Sequence, residues 1–220
     1  MIKLAVYLGS NNLLSDAQTD RILNWVIANK YQYILRSFLN TKLPTTQTFA
    51  NNLLLGAIRT KDFELVKLPV DTDLDFQRRN ASVAPIELAV SGGNVEIARV
   101  LLAGGPFNDN ASIARATLPS AIRDGNTEMV KLLLEFSPAG AEDLLDAAEW
   151  GRIEITRIII AAGVDVNERY LHCKPALQAA VWRGSVETAK LLLEAGTTVN
   201  AAESHERTPL GIASLAKIQR

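Results

Sequence analysis

The sequence repeats a short pattern along much of its length, and this repetition constrains the fold more than any other feature. Glycine marks four copies, and the spacings between successive markers are 32, 26 and 33 residues. A glutamate follows each marker after three residues, a basic residue follows after six, and an aliphatic triplet comes next. A short unit that recurs in this way stacks against its neighbours, because it cannot bury its apolar face alone. The markers are Gly93, Gly125, Gly151 and Gly184.

The pattern continues more weakly on both sides of the four marked copies. Upstream, Glu64 and Lys67 keep the same spacing, with Lys61 at the marker position, and Lys30 falls at the marker of an earlier copy. Downstream, Thr208 opens another unit. We therefore predict one domain of about six units over residues 1–220. It would comprise divergent repeats over 1–83, clearer repeats over 84–207 and an incomplete repeat over 208–220.

Each unit reads as two short helices joined at the marker. In the best copy an alanine-rich helix over residues 177–182 precedes the marker and a longer helix over 186–194 follows it. Apolar residues cover more than one face of the second helix, which predicts that it is sandwiched between its partner and the next unit. The glutamate and the base at i and i+3 are expected to pair on the remaining wet face. The expected caps and turn residues are Gly105, Gly163, Gly196, Asn167 and Asn200.

A period near 33 with these residues resembles the ankyrin repeat. The opening signature of that family, Thr-Pro-Leu-His-Leu-Ala, is similar to Thr-Pro-Leu-Gly-Ile-Ala at 208–213 and Ala-Pro-Ile-Glu-Leu-Ala at 84–89. The most complete copy covers residues 175–201, and the resemblance is specific over 84–214. It implies an all-α ankyrin-repeat solenoid of about six helix-turn-helix units with short β-turn fingers. It also implies a concave groove that mostly binds proteins.

Several places depart from the family pattern. Pro69 stands where an aliphatic triplet belongs, and a mid-helix proline costs about 3 kcal/mol, so that helix should end early. The connection over residues 136–142 is too short for a finger, and the connection over 106–115 lacks an Asp-Val-Asn turn. No polar capping helix follows residue 208. An uncapped C-terminal end exposes apolar surface, so we expect a partner or self-association to cover it, unless further residues follow.

Composition and charge exclude several classes of function. The chain has 23 basic and 24 acidic residues, so it lacks the basic excess that favours nucleic acids or anionic membranes. No apolar run approaches the roughly 20 residues of a membrane span. The single cysteine, Cys173, excludes a disulfide framework and a multi-thiolate zinc site, and we expect neither a metal nor a cofactor. Without a convincing secretory signal, the sequence predicts an intracellular protein, cytoplasmic or nuclear.

Two tryptophans are the most informative candidate binding residues. Trp150 and Trp182 lie one and two residues before their markers, at the end of the helix that lines the groove in ankyrin repeats. Tryptophan and arginine are the commonest hot spots of protein interfaces. Alternatively, each indole folds over a neighbouring helix and caps the core, and Trp25 is interpreted as a core residue. The other candidates are Arg123, Asp124, Glu149 and Arg183 beside the tryptophans, and Tyr170 and His172 in a finger.

The leading hypothesis is a non-catalytic module that binds a protein partner in its groove. The alternative is a cofactor-free enzyme, such as an isomerase or cyclase, that uses the groove as a pocket for a small apolar molecule. The two histidines lie 33 residues apart in equivalent fingers, and histidine can act as acid or base near neutral pH. The candidate acid–base groups are His172, His205, Glu149 and Asp146, with Tyr170 as a possible proton donor.

Overall fold

The computed structural model describes residues 18, 21, 25, 26, 54–70, 85–104, 110–168 and 175–198. The chain divides into two compact units, Met1–Asn110 and Ala111–Arg220. In the described residues the secondary structure consists of helices and turns, without a strand. None of the helices in these ranges is long and apolar enough to cross a membrane.

In the first unit, residues 54–70 and 85–104 form two helical hairpins. A helix over residues 54–59 is followed by helix α1 (Phe63–Val70), and helix α2 (Pro85–Ser91) is followed by helix α3 (Val95–Gly104). Helix α3 packs against both α1 and α2, which forms the core of this unit. The buried apolar residues are Leu54, Ala57, Ile58, Val66, Ile86, Ala89, Val90, Ile97, Ala98, Leu101 and Leu102.

The described residues of the second unit form three helical hairpins. The hairpins are α4 (Asn110–Asp124) with α5 (Thr127–Leu134), α6 (Ala141–Glu149) with α7 (Ile153–Ala161), and α8 (Ala176–Arg183) with α9 (Val186–Glu194). Helix α6 packs against α8, whereas α7 packs against α5 and α9. The first helices α6 and α8 therefore pack on one another, the second helices α5, α7 and α9 pack in a row, and aliphatic side chains of both sets are buried.

All five hairpins bend through the same backbone turn at the repeat marker. The marker N–H donates to the carbonyl three residues earlier, and the next N–H donates to the carbonyl of an alanine four residues before the marker. This Schellman arrangement requires a left-handed backbone at the marker. The markers, whose φ lies between 55° and 75°, are Lys61, Gly93, Gly125, Gly151 and Gly184. The alanines are Ala57, Ala89, Ala121, Ala147 and Ala180, and all of them are buried.

The turns confirm the repeat register. Lys61, which spacing alone places at a marker, has a φ of 55° and is the one non-glycine residue with positive φ in the part of the chain that the structure describes. Gly163 and Gly196, predicted to cap second helices, both have a φ of 89°. The corresponding predictions for Gly105 and Asn200 lie outside the described residues.

The predicted charge pairs form on the exposed face of the second helices. Glu128 Oε1 accepts from Lys131 Nζ at 2.7 Å on α5, and Glu154 Oε1 lies 3.8 Å from Arg157 Nε on α7. All four side chains are exposed, so each pair contributes only a few tenths of a kcal/mol. These pairs therefore mark the solvent side of the repeats without deciding their stability.

The connections between hairpins differ in length. After α5 the connection covers only residues 135–140, which confirms the prediction that a finger is missing there. After α7 the chain runs over residues 162–175 before α8 begins. In this longer connection Asn167 Oδ1 accepts from the N–H and the hydroxyl of Thr198, both at 2.7 Å. Asn167 thus ties one connecting turn to the next.

Two expectations about helix boundaries are wrong. Pro69 was expected to end its helix early, yet α1 continues through it to Val70. Because Pro69 lies in the last turn, its missing N–H removes one backbone hydrogen bond that the short helix can lose. The segment over residues 106–115, expected as a connection, is helical from Asn110 onward. The Asn110 side chain donates to the Leu102 carbonyl at 2.6 Å and so holds the start of α4.

One expectation about burial is also wrong. Trp25 was interpreted as a core residue, but its side chain is 50% exposed, and the next residue, Val26, is buried instead. One residue along a helix is a rotation of about 100°, so a shift of one position moves a side chain from core to surface.

The prediction that second helices are sandwiched is confirmed for α7, which packs against its partner α6 and against both α5 and α9. On α9 Leu192 is buried, whereas Val186 and Leu193 are exposed. The next unit, predicted to cover that face of α9, lies outside the described residues, so the sandwich stays a prediction there.

Candidate protein-binding surface

The last two positions before each marker form a surface at the C-terminal ends of the first helices. In the second unit these positions lie at the C-terminal ends of α4, α6 and α8, and α6 packs directly against α8. Their backbone is fixed by the turn, while their side chains point away from the core. We call these six residues the tryptophan surface; they are Arg123, Asp124, Glu149, Trp150, Trp182 and Arg183.

Both tryptophans of this surface remain largely accessible. The Trp150 side chain is 46% exposed and the Trp182 side chain is 58% exposed. The Arg183 guanidinium lies over the Trp150 ring, 5.6 Å from its centroid. Such a cation–π contact contributes about 0.5–1 kcal/mol at an exposed site and fixes the orientation of the indole. One face of Trp150 is thus held by α8, and nearly half of the side chain is left for other contacts.

An ion pair connects the same two helices. Arg183 Nη2 donates to Glu149 Oε1 at 2.7 Å. The guanidinium therefore bridges the carboxylate of the last residue of α6 and the indole of the residue that follows it. Both members of the pair are partly exposed, so its net contribution to stability is small. It holds the Arg183 side chain of α8 beside the C-terminal end of α6.

Asp146 lies one turn before Trp150 on α6 and is half-buried. Burial raises the pKa of the Asp146 carboxyl above its usual value, and the charges of Glu142, Asp143 and Glu149 raise it further, while Arg123 lowers it. Carboxylates crowded on one helix repel one another, which disfavours the ionised form. The region beside the tryptophan surface therefore has a surplus of negative charge.

The start of α6 is held by a buried carboxylate. Asp143 is fully buried, and its Oδ2 accepts from Arg115 Nη1 at 2.5 Å and from the Gly140 N–H at 2.8 Å. Arg115 also contacts Glu142 Oε2 at 3.2 Å. Burial acts to lower the pKa of the Arg115 guanidinium, but the hydrogen bonds and charges of Asp143 and Glu142 outweigh it, so the pKa is raised. This cluster ties α4 to α6.

The marker turns also pack on one another. A Cβ added to Gly125 would lie 2.9 Å from Arg152 Cζ, and one added to Gly151 would lie 2.7 Å from Ser185 Oγ. Arg152 and Ser185, which each follow a marker, therefore lie directly on the glycine of the preceding turn. Arg152 Nη2 also donates to the Arg123 carbonyl. These contacts fix the spacing of the helix ends that carry the tryptophan surface.

The structure brings most of the predicted site residues together. Arg123, Asp124, Glu149, Trp150, Trp182 and Arg183 all lie at the ends of first helices, and Asp146 lies one turn away. Tyr170, His172 and His205 lie outside the described residues, so the proposed acid–base set remains a prediction. Sequence reasoning missed Arg115, Asp143 and Arg152. The sequence offered one signal, which is Asp143 itself. It places a charged residue at the repeat position that is occupied by Pro85 and Thr117 in two other copies.

Comparisons with known proteins give a consistent result. Residues 144–193 match the family model described as "Ankyrin repeats (many copies)". The chain is similar to an ankyrin repeat protein of fowlpox virus (strain NVSL), with 30% identity over 53% of this chain and 28% of the relative. It is also similar to the ankyrin repeat and KH domain-containing protein mask-1 of Caenorhabditis elegans, with 28% identity over 64% of this chain and 6% of the relative. The chain therefore spans less than a third of either relative.

The fold also resembles a solved structure. The ankyrin repeat domain of Bcl-3, a member of the IkappaB protein family, has a TM-score of 0.69 and 21% identity, covering 87% of this chain and 92% of that chain. The hairpins, their shared turn and these likenesses define a tandem helical-hairpin repeat protein. Residues 144–193 of the chain match ankyrin repeats, and its fold is that of an ankyrin-repeat solenoid. Ankyrin repeats are generally protein–protein interaction modules.

Proposed function

We propose that this chain is a non-catalytic interaction module that binds a protein partner through the tryptophan surface. The observation that carries the proposal is the pair of half-exposed tryptophans at the ends of adjacent helices α6 and α8. Each indole offers a large apolar area with few rotatable bonds, so covering it gains free energy at a low entropy cost. A partner that covers both would gain several kcal/mol.

The surrounding charges support the same proposal. Arg183 holds one face of Trp150 and is itself held by Glu149, so the surface is ordered in the free protein. Interface hot spots are typically aromatic and arginine residues surrounded by polar groups that exclude water. The tryptophan surface has this composition: two indoles with both signs of charge around them. Its position on the first helices agrees with the concave binding surfaces of repeat proteins.

Affinity capture with two matched variants tests the proposal. Tagged wild-type chain, the double variant Trp150→Ala/Trp182→Ala and the control Trp25→Ala are used to capture proteins for quantitative mass spectrometry. Trp25 is as exposed as the two site tryptophans but belongs to the first unit. Since each hot spot contributes about 2 kcal/mol or more, partners should fall at least tenfold with the double variant and stay unchanged with the control.

Thermal unfolding by circular dichroism establishes that both variants are folded before capture is compared. Exposed positions lose little stability on truncation, so all three proteins should unfold at similar temperatures. A folded double variant that captures the same proteins as wild type, in the same amounts, would remove the tryptophan surface as the binding site.

A further inference from the structure

In the part of the chain that the structure describes, some of the acidic side chains beside the tryptophan surface form ion pairs with arginine and one does not. Glu142, Asp146 and Glu149 follow one another at i, i+4 and i+7, so they share one face of α6. Glu142 is paired with Arg115 at 3.2 Å, and Glu149 is paired with Arg183 at 2.7 Å. Within the described ranges Asp146, which lies between them, makes no ion pair. The middle carboxylate of the row is therefore the one that a partner's charge can satisfy.

The local charge balance favours a cation from outside. Helix α6 carries four carboxylates, and only two guanidinium groups, those of Arg115 and Arg183, form ion pairs with them. Arg123 acts on Asp146 at longer range, and Asp124 follows it with the opposite charge. Because Asp146 is half-buried, a cation placed beside it would interact in a less polar environment than bulk water and gain more than at an open surface.

The indoles lie where such a cation would need an apolar neighbour. Trp150 follows Asp146 by four residues, so their Cβ atoms are about 5–6 Å apart on one face of the helix. The contact between Arg183 and Trp150 shows that this surface already accommodates a guanidinium stacked on an indole. Trp182, on the adjacent helix, has more than half of its side chain exposed. The Asp146 carboxylate and the exposed apolar area of the two indoles therefore lie side by side.

We infer that the partner binds through a basic amphipathic segment, in which an arginine or lysine pairs with Asp146 and a neighbouring apolar side chain packs on Trp182. This inference rests on the proposed function and adds the chemistry of the partner. An acidic segment would be repelled by the carboxylates of α6, and an uncharged segment would leave Asp146 uncompensated. Charge complementarity thus selects one occupant for this surface.

Peptide selection tests the inference on the full chain. A phage-displayed library of random dodecapeptides is selected against the wild-type protein, and the enriched sequences are counted against the unselected library. We expect arginine and lysine next to apolar residues to be enriched. No enrichment of any peptide, or enrichment of acidic or uncharged peptides, overturns the inference.

Affinities of one enriched peptide then locate the contact. The peptide and a copy with each arginine replaced by citrulline, which keeps the shape and removes the charge, are titrated by fluorescence anisotropy. Against the arginine peptide, Asp146→Asn should weaken binding about five- to tenfold, and against the citrulline copy it should change binding less than twofold. The control Glu128→Gln removes one charge from α5, in the other helix layer, and should leave both affinities unchanged.

The outcomes separate this inference from the proposed function. If Asp146→Asn binds the arginine peptide within twofold of wild type while Trp150→Ala/Trp182→Ala abolishes binding, the charge contact is wrong and the binding surface stands. If neither variant changes the affinity, both proposals are wrong. Raising the salt concentration should weaken wild-type binding more than Asp146→Asn binding, because charge pairs at a partly exposed site are screened.

Discussion

The two compact units make the same backbone turn after their first helices but place different side chains before it. In the first unit the two positions before the marker are Arg59-Thr60 and Ser91-Gly92, which are mostly small or polar. In the second unit they are Arg123-Asp124, Glu149-Trp150 and Trp182-Arg183. Hydrogen bonds and marker φ are alike in all five turns. The fold therefore does not require large side chains at these positions.

This difference separates the residues that the fold needs from those that the proposed binding would use. The buried alanine and the left-handed marker recur in both units, because the hairpin cannot close without them. Half-exposed indoles occur at this turn only in the second unit, as far as the described residues show. Exposed apolar side chains that no structural role explains are typical of interaction sites. The comparison thus supports our proposal that a partner binds the second unit.

The largest effect on stability is expected at the beginnings of the first helices, where the two units also differ. Helix α2 begins at Pro85, whose missing N–H has no cost at a helix start, whereas α6 depends on the buried pair of Asp143 and Arg115. Arg115→Met would leave Asp143 as an unpaired buried charge. We expect a loss of about 2–4 kcal/mol in the free energy of unfolding, measured with urea.

The control for this prediction is Arg157→Met, which breaks the exposed pair with Glu154 on α7. It should change stability by less than about 0.5 kcal/mol. Equal effects of the two variants would show that Asp143 does not need its partner.

Substitutions at the marker are expected to have the next largest effect on stability, and the sign of the effect should differ between the two units. Gly151→Ala puts a Cβ at a φ of 62° and 2.7 Å from Ser185 Oγ, so it should destabilise the protein by about 2 kcal/mol. Lys61→Gly removes a side chain from the same left-handed backbone and should stabilise by about 0.5–1 kcal/mol. Urea unfolding measures both. A destabilising Lys61→Gly would contradict the equivalence of the turns.

Substitution of Asp146 is expected to have the smallest effect on stability, and this effect should depend on pH. The pKa of Asp146 is raised in the folded state. The free energy of unfolding therefore falls as pH rises from the ordinary carboxyl pKa to the raised pKa of the folded state. Above the raised pKa the whole loss of stability is present. Asp146→Asn removes this cost. At pH 7 the variant should melt about 2 °C higher or less, since the group is partly exposed.

The difference in melting temperature between Asp146→Asn and wild type should vanish below the ordinary carboxyl pKa, where Asp146 is protonated in both the folded and the unfolded state. Glu128→Gln, an exposed position, should show no such pH-dependent gain. A variant that is less stable than wild type at neutral pH would show that Asp146 is not repelled by its neighbours.

The sequence was sufficient to predict the repeat register, down to the single residue Lys61. A left-handed turn restricts which amino acids can occupy one position, so glycine recurs at that position in most repeats. The regular spacing then identifies the same position in a repeat that lacks glycine. The caps at Gly163 and Gly196 could be predicted for the same reason. The ends of the first helices followed from the register, which is why the tryptophan surface could be assembled from sequence.

The parts that could not be predicted depend on tertiary contacts. Arg115 and Asp143 are 28 residues apart, and nothing local in the sequence joins them. Trp25 and Val26 are adjacent apolar residues, and only packing decides which one is buried. The start of α4 at Asn110 was missed because the expected turn signature was absent, although absence of one turn does not exclude a helix. The single-domain organisation over residues 1–220 stays a prediction.

Site-specific photo-crosslinking tests the central claim, that the partner binds at the helix ends of the second unit. p-Benzoylphenylalanine is placed at Arg123 in one protein and at Arg59 in another, since both residues are exposed and lie two positions before their markers. After mixing with the captured partner and irradiation, crosslinks are quantified by mass spectrometry. We predict crosslinking to the partner from position 123 and none above background from position 59. Crosslinking from position 59 and not from position 123 would contradict the account.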